Sequence, residues 1–506
     1  MSGARLREKP GAAQVREATL AQQQALDARA SVWVDASAGS GKTKVLVDRV
    51  LALLLAGAKA ERILCLTFTK AAAAEMSNRL LRRLSAWATL PDRALHDHLS
   101  ALFGRRPTQD EEETARRLFA RVLDTPGGLK IQTIHGFCQS LLARFPLEAG
   151  IAPGFTVLDE RTVGELLAEA QNELLAEIEA PGQEELRAAV EFLLEAGDDH
   201  GFAQDLGELV KRRALLEASL ARYGGPEGCI AVHRAALELE AADTRDGLVA
   251  AALEATRLPE AELGRCAGLL AGGSKSDREA GERLAHFLAL PPERRAAEGY
   301  ETYRALLLTK ANEPRKNHMT KACRDSAPGL VELLTREAAR LVALEGMLAA
   351  LRLAERAAAL FRLAAAVLGR YRRAQQARGA LDYDDLIELT ARLLDGPGRA
   401  GWVLFKLDGG LDHLLIDEAQ DTSPTQWRVV RALTAEFYAG AGAHEERDPA
   451  PRTVFAVGDA KQSIFRFQGA DPAGFRAAQD HFAQLAGGAE LPFRPVALTH
   501  SFRSVE

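Results

Sequence analysis

The sequence predicts an α/β fold: a doubly wound parallel sheet with helices on both faces, interrupted by a large all-helical insertion. Three observations carry this. Short apolar runs without alternation, Ser31-Val-Trp-Val34, Arg62-Ile-Leu-Cys-Leu-Thr67, His413-Leu-Leu-Ile416 and Thr453-Val-Phe-Ala-Val457, suit parallel strands buried on both faces. Helical stretches separate them, the order from which βαβ units are built. Residues 160–380 differ: they are rich in Ala, Leu, Glu and Arg at helical spacing and carry almost no strand signal.

The first strand ends in a glycine-rich turn. Ala36, Ser37, Ala38, Gly39, Ser40, Gly41, Lys42 and Thr43 form a phosphate-binding loop, with Ala36 where the general pattern has Gly. From Lys42 to Leu55 the apolar residues Val45, Leu46, Val50, Leu53 and Leu54 fall on one helical face. Strand, turn and helix together make the motif credible. Gly39 and Gly41 let backbone N–H groups approach phosphate oxygens, and the helix N-terminus adds partial positive charge. Lys42 suits the β- and γ-phosphates and the Thr43 hydroxyl suits Mg²⁺. The loop implies nucleoside triphosphate binding.

Later strands end in polar residues, at the edge where such sheets bind ligands. Asp417 and Glu418 follow the run at 413–416; Asp417 suits Mg²⁺ coordination and Glu418 the base that activates water. A polar turn is the competing reading of that pair taken alone. Gln420 and Asp421 extend the cluster. Gln462 follows the run at 453–457 and could sense the terminal phosphate. Arg503 could stabilise γ-phosphate charge, or be a plain surface residue.

In the insertion, breaks at Tyr223-Gly-Gly-Pro226 and Gly272-Gly273 interrupt any heptad register and argue against a coiled coil. Residues 440–451 read as a surface loop, and the carboxylates of Asp382-Tyr-Asp384-Asp385 as a helix start. With 506 residues and 47% apolar content, the chain can form several cores. No run of about 18 uncharged apolar residues predicts a membrane span, and residues 1–10 lack the apolar core of a secretory signal. Cys65, Cys138, Cys229, Cys266 and Cys323 are scattered, which fits a reducing cytoplasm and offers no zinc site. The net charge of −6 neither supports nor excludes nucleic acid, because an acidic protein can carry one basic face.

Ordered blocks make the reading more specific. They are Thr19-Leu-Ala-Gln22-Gln-Gln-Ala25; the loop from Ala36 to Thr43; Leu66-Thr-Phe68-Thr69-Lys-Ala-Ala-Ala-Ala-Glu75-Met76; Ile131-Gln-Thr133-Ile-His135-Gly136-Phe137; Ile416-Asp417-Glu418-Ala-Gln420-Asp421-Thr422; Val457 to Gly469; and the stretch around Arg503. In order and spacing the chain resembles the superfamily-one DNA helicases of the UvrD/RecB type. Residues 145–151 and 308–316 resemble the AddA branch, the helicase–nuclease subunits of bacterial double-strand-break repair. There are departures from the UvrD pattern: Lys70 and Ala71 replace the usual Asn and Lys, Gln468 stands at an Arg position, and Ser501 replaces Asn.

The resemblance implies a RecA-like P-loop NTPase core using ATP and Mg²⁺ to move 3′→5′ on single-stranded DNA and separate strands, in repair and recombination. It implies that Gln22 reads adenine and that Gln462 and Arg503 contact the γ-phosphate. Phe68, Thr69, Thr133 and His135 would line the DNA track, and Phe467 would stack on a base. Core packing is the competing reading for both phenylalanines. Residues 1–145 and 381–490 would form the first core (domain 1A), 146–380 the insertion (domain 1B), and 491–506 the start of a second, truncated core (domain 2A). The chain would then be the N-terminal portion of a larger protein. An AddB-like nuclease partner is implied, and the insertion would hold the duplex. Arg315, Lys316, Lys321 and Arg324 are either a phosphate-contact patch or a solvated loop. The alternatives are a stand-alone UvrD-like repair helicase, a non-catalytic DNA-binding scaffold, and a P-loop ATPase acting on a protein.

Overall fold

A computed structural model describes residues 20–37, 39–196, 199–254, 259–395, 399–406, 410–438, 451–459 and 472–498. The chain divides into two units, one built from residues up to Glu160 and from Gly379 onward, the other from Arg161–Arg378.

The first unit is organised by six strands: β1 (Ser31–Ala36), β2 (Ile63–Thr67), β3 (Lys130–Thr133), β4 (His413–Ile416), β5 (Thr453–Gly458) and β6 (Phe493–Leu498). Their order is β3-β2-β4-β5-β1-β6, and every pairing is parallel. Apolar groups cover both faces, which explains the unalternating runs. Val32 and Val34 of β1 pack with Val45, Leu46 and Val50 on one side. Trp33 points to the other side, where it meets Leu64, Leu414 and Val454 and stacks on Trp427 at 5.8 Å. The strand Phe493–Leu498 corrects one expectation. Instead of opening a second core, it pairs with β1 from Ser31 to Ala36 and closes this sheet.

Three helices follow strand ends in the order the sequence requires: α1 (Lys42–Leu55), α2 (Lys70–Thr89) and α3 (Ile134–Arg144). In the helical unit α4 (Lys275–Ala289), α5 (Tyr300–Leu307) and the 50-residue α6 (Pro328–Ala377) lead. Pro328 opens α6 at a position where its missing N–H costs nothing. The core of this unit is formed by Leu333, Leu341, Leu344 and Leu348 of α6 with Tyr300 and Tyr303 of α5. Two carboxylates on α6 are buried there, each paired with a phenol: Glu337 accepts from Tyr303 at 2.8 Å and Glu345 from Tyr300.

In the first unit, Thr156–Val157 pairs in parallel with Ala380–Leu381, so residues 146–160 stay with the sheet unit rather than with the insertion. The chain continues into α7 (Tyr383–Leu394). Its N-terminus is a reciprocal cap: Asp382 accepts from the Asp385 N–H at 2.9 Å and Asp385 accepts from the Asp382 N–H at 3.0 Å. These carboxylates are the helix start the sequence indicated. All five cysteines are buried and unbridged. No described helix is long and apolar enough to cross a membrane. The stretch expected to be a surface loop, 440–451, lies outside the described residues apart from Pro451.

Candidate nucleotide and nucleic-acid site

Because every strand is parallel, all the strand ends that carry polar motifs lie along one edge of the sheet. After β1, the chain turns through Gly39 (φ 77°) and Gly41 (φ 91°), left-handed conformations that suit glycine. Gly41 is the N-cap of α1 and supplies no side-chain acceptor, and the first turn of α1 has no acidic residue. The first N–H groups of the helix are therefore open to an anion. Ser40 is 1% exposed, and its hydroxyl has no hydrogen-bond partner among the described residues. A buried polar atom left in this way marks a place where a ligand completes the bonding.

Lys42 begins α1. Its Nζ donates to Glu418 Oε2 at 2.8 Å, although 376 residues separate the two. The connection is made by topology: β4 reaches the same edge as β1, and the Asp417 N–H is held by the Leu66 carbonyl at 2.9 Å. Glu418 has left-handed backbone (φ 49°), uncommon for a residue with a side chain. Asp417 accepts one backbone N–H, from Glu418 at 3.1 Å. Burial and then the neighbouring Glu418 carboxylate push its carboxyl up to about 6. Thr43 is half-buried on the first turn of α1. An under-compensated carboxylate and a hydroxyl on the first turn of α1 are hard-oxygen donors of the type that a divalent cation takes. The residues fit Mg²⁺.

Gln420 has a larger role than the sequence suggested. Its Nε2 donates to Glu418 and to Asp421, both at 2.9 Å, and its Oε1 accepts from the Asp459 N–H at 2.9 Å. It thereby ties the end of β4 to the end of β5. A side chain at Gly458 would collide with it, the nearest contact being 2.7 Å. Gln22 lies over the loop: its Oε1 accepts from Lys44 at 3.2 Å and its Nε2 faces the Ser40 carbonyl at 3.5 Å. Lys44 is held in turn by Asp48 at 2.8 Å.

The neighbouring strand ends carry the residues expected on a DNA track. Phe68 is half-buried beyond β2, and the exposed Thr69 caps α2, accepting from Ala72 at 3.1 Å. Thr133 is buried and caps α3, accepting from Gly136 at 3.0 Å. His135 is half-buried, and burial lowers its pKa, which favours the neutral ring. It meets Tyr383 edge-on at 5.3 Å. Tyr383 is 39% exposed, an aromatic surface that the sequence reading passed over as part of a helix start. Its signal was present: an aromatic between carboxylates at a chain re-entry point. Ala38, Gln462, Phe467 and Arg503 lie outside the described residues.

Comparison with known proteins agrees with this arrangement. The UvrD/REP helicase N-terminal domain matches residues 18–483. Curated relatives include the A subunit of the ATP-dependent helicase/nuclease of Levilactobacillus brevis, 27% identical over 94% of this chain and 36% of the relative. The protein of the same name from Desulforudis audaxviator is 31% identical over 94% of this chain and 38% of its own length. That from Pelotomaculum thermopropionicum is 28% identical over 96% and 37%. The chain thus spans little more than a third of the relatives it matches. It belongs to the UvrD/REP helicase family, by that family's N-terminal domain.

Proposed function

We propose that this chain is the ATP-binding part of a DNA-dependent motor: an AddA-type helicase moving 3′→5′ on single-stranded DNA in double-strand-break repair, with an AddB-like nuclease partner. On this reading the sheet unit is domain 1A of a RecA-like motor and the helical unit its insertion, domain 1B. The observation that carries the reading is the 2.8 Å contact of Lys42 with Glu418. It sets the cation suited to terminal phosphates beside the carboxylate suited to activating water.

In the resting chain Lys42 is neutralised by Glu418. The triphosphate would take Lys42 for its β- and γ-oxygens, and the loop N–H groups with the Ser40 hydroxyl would close on the remaining oxygens. Glu418, released from the lysine, would accept the proton of the attacking water. Thr43 and Asp417 would hold Mg²⁺, whose positive charge would offset that of the phosphates. Gln420 is bonded to Glu418 and reaches β5, so it would hold the base in place. Phe68, Thr69, Thr133 and His135 lie on the adjacent strand ends, which supports coupling of nucleotide state to a DNA strand.

The test is the ATPase rate of the full-length protein, with and without single-stranded DNA, beside Lys42→Ala. DNA is expected to raise turnover, and the substitution to lower it at least about 100-fold. Turnover indifferent to DNA would leave a P-loop ATPase with another client.

A further inference from the structure

We infer that Lys44 is a positioning residue for base selection: it fixes the Gln22 amide in the orientation that suits adenine. The inference rests on the ATP-binding reading above and deepens it, by naming what would set the choice of nucleoside. An amide donates from one end and accepts at the other, and only its partners decide which end lies where. The two polar partners of Gln22 among the described residues each have a single polarity. The Lys44 ammonium, which can only donate, lies 3.2 Å from Oε1; the Ser40 carbonyl, which can only accept, lies 3.5 Å from Nε2. Turning the amide over would set its NH₂ against the ammonium and its oxygen against the carbonyl. The contact to Ser40 is long, so Lys44 carries most of that preference.

Lys44 is itself held. Asp48, one turn further along α1, accepts from its Nζ at 2.8 Å, and the Asp48 side chain is only 5% exposed. The other oxygen of Asp48 lies 3.2 Å from Arg83 Nη1 of α2. Arg83 in turn lies over the ring of the buried Trp87, 6.0 Å from its centroid. The series Trp87, Arg83, Asp48, Lys44 thus runs from the core of the sheet unit to the amide over the phosphate loop. A solvated i,i+4 helix pair is the ordinary reading of Lys44 and Asp48, and three features go against it. The carboxylate is buried. Lysine ahead of the acid is the weaker order for such a pair. A cation in the first turn of a helix also opposes the helix dipole, which favours acids there. Local helix chemistry gives Lys44 no reason to stand at this position; the contact with Gln22 does.

The orientation matters because of what a base presents. Adenine offers the N6 amino group as donor beside N7 as acceptor, and a glutamine matches that pair with Oε1 and Nε2. Guanine offers O6 and N7, two acceptors, so an amide whose oxygen is fixed meets O6 repulsively. After bonding to Lys44 and Ser40, Oε1 of Gln22 retains a second lone pair and Nε2 a second hydrogen. The amide can therefore pair with a base without releasing the lysine. Its nitrogen lies 3.5 Å from where a side chain at Gly41 would begin, so it sits against the loop that takes the phosphates.

The experiment is calorimetric titration of the protein with Mg-ATP, Mg-GTP and Mg-tripolyphosphate, the last having phosphates but no base. Wild type is compared with Lys44→Met, Gln22→Ala and the double variant. The Lys44 side chain is 56% exposed, so Lys44→Met leaves the core intact, which a melting curve for each protein checks. Wild type should prefer ATP to GTP at least about fivefold. Lys44→Met should weaken ATP binding about three- to tenfold, as for one lost hydrogen bond, and leave GTP and tripolyphosphate within about twofold. In the Gln22→Ala background the same substitution should change ATP affinity by less than about twofold, because the lysine acts through the amide. An equal loss on all three ligands overturns the inference and puts Lys44 on the phosphates. A loss on ATP that survives in the Gln22→Ala background also overturns it, with Lys44 then touching the base itself, as does a wild type indifferent between ATP and GTP. Wild-type protein that binds none of the three would remove the ATP-binding reading instead.

Discussion

Two buried aspartates, one in each unit, stand in opposite electrostatic situations. Asp277 of the helical unit is 2% exposed and Asp417 of the sheet unit 9%. Burial alone opposes the charge of both. At Asp277 burial is outweighed by hydrogen bonds from Thr320, through both hydroxyl and N–H, and from Ser274, and the carboxyl is held well below the usual range. At Asp417 a single N–H arrives from Glu418, the Glu418 carboxylate lies alongside, and the group is pushed up to about 6. Residue type and depth are shared; the supply of donors differs. Where the protein satisfies a carboxylate fully, it is part of the scaffold. Where it leaves one short, the missing partners are free to come from a ligand.

The sharpest test of that contrast removes the satisfied group. Asp277→Ala strands donors from Ser274 and Thr320 and deletes half of a capping box. It should destabilise the helical unit by about 3 kcal/mol, measured by denaturant unfolding followed by helical circular dichroism. A loss below about 1 kcal/mol would show that the bonds are incidental. The sign with pH is fixed. A carboxyl whose pKa is lowered on folding contributes stability above its unfolded value, here 3.8, and loses it as pH falls further. Wild type should therefore approach the variant in stability below about pH 4.

Asp417→Asn should move stability the other way. A carboxyl raised to about 6 from 3.8 holds its proton more tightly when folded, so its ionised form weakens the fold above pH 6. Removing the charge should stabilise the nucleotide-free protein by about 1–3 kcal/mol near pH 7.5, and by almost nothing near pH 3.5. The same substitution should lower ATP hydrolysis at least about 100-fold. Paired melting curves at the two pH values decide it: a variant less stable than wild type at pH 7.5 would break the comparison.

How much of this was legible depended on how local the cause is. The phosphate loop, β1 and α1 were readable because an apolar run, two glycines and a 3.6-residue period lie within about twenty-five positions. So was the start of α7, whose cap is made by neighbours three residues apart. The helical character of residues 160–380 was legible too, but the extent of the 50-residue α6 and its buried face were not, because Glu337, Glu345 and Gln375 interrupt its apolar residues. They become core residues only through partners such as Tyr300, Tyr303 and Tyr371, two of them on another helix. The strand Phe493–Leu498 was missed for a similar reason. Arg494 and Pro495 make it read as a poor strand, and Pro is tolerated in a sheet only at an edge, which only the pairing with β1 reveals. Gln420 was visible as a polar residue, but its bridge to Asp459 spans 39 positions.

The smallest effects separate the units most finely, through two hydroxyls. Thr320 Oγ1 donates to Asp277 at 2.6 Å, so Thr320→Val should cost the helical unit about 1.5–2 kcal/mol. Ser40 Oγ is more deeply buried but lacks a described partner, so Ser40→Ala removes a desolvated atom without breaking a bond. Its effect on the stability of the nucleotide-free protein should stay within about 0.5 kcal/mol, on either side of zero. Nucleotide affinity should nevertheless fall about three- to tenfold, one neutral hydrogen bond to a phosphate oxygen being worth about 1 kcal/mol. Calorimetric titration with ATP, run beside a melting curve for each protein, reads both quantities. If Ser40→Ala lost stability and kept its affinity, the hydroxyl would belong to the scaffold like that of Thr320, and the loop would be less open to phosphate than its geometry indicates.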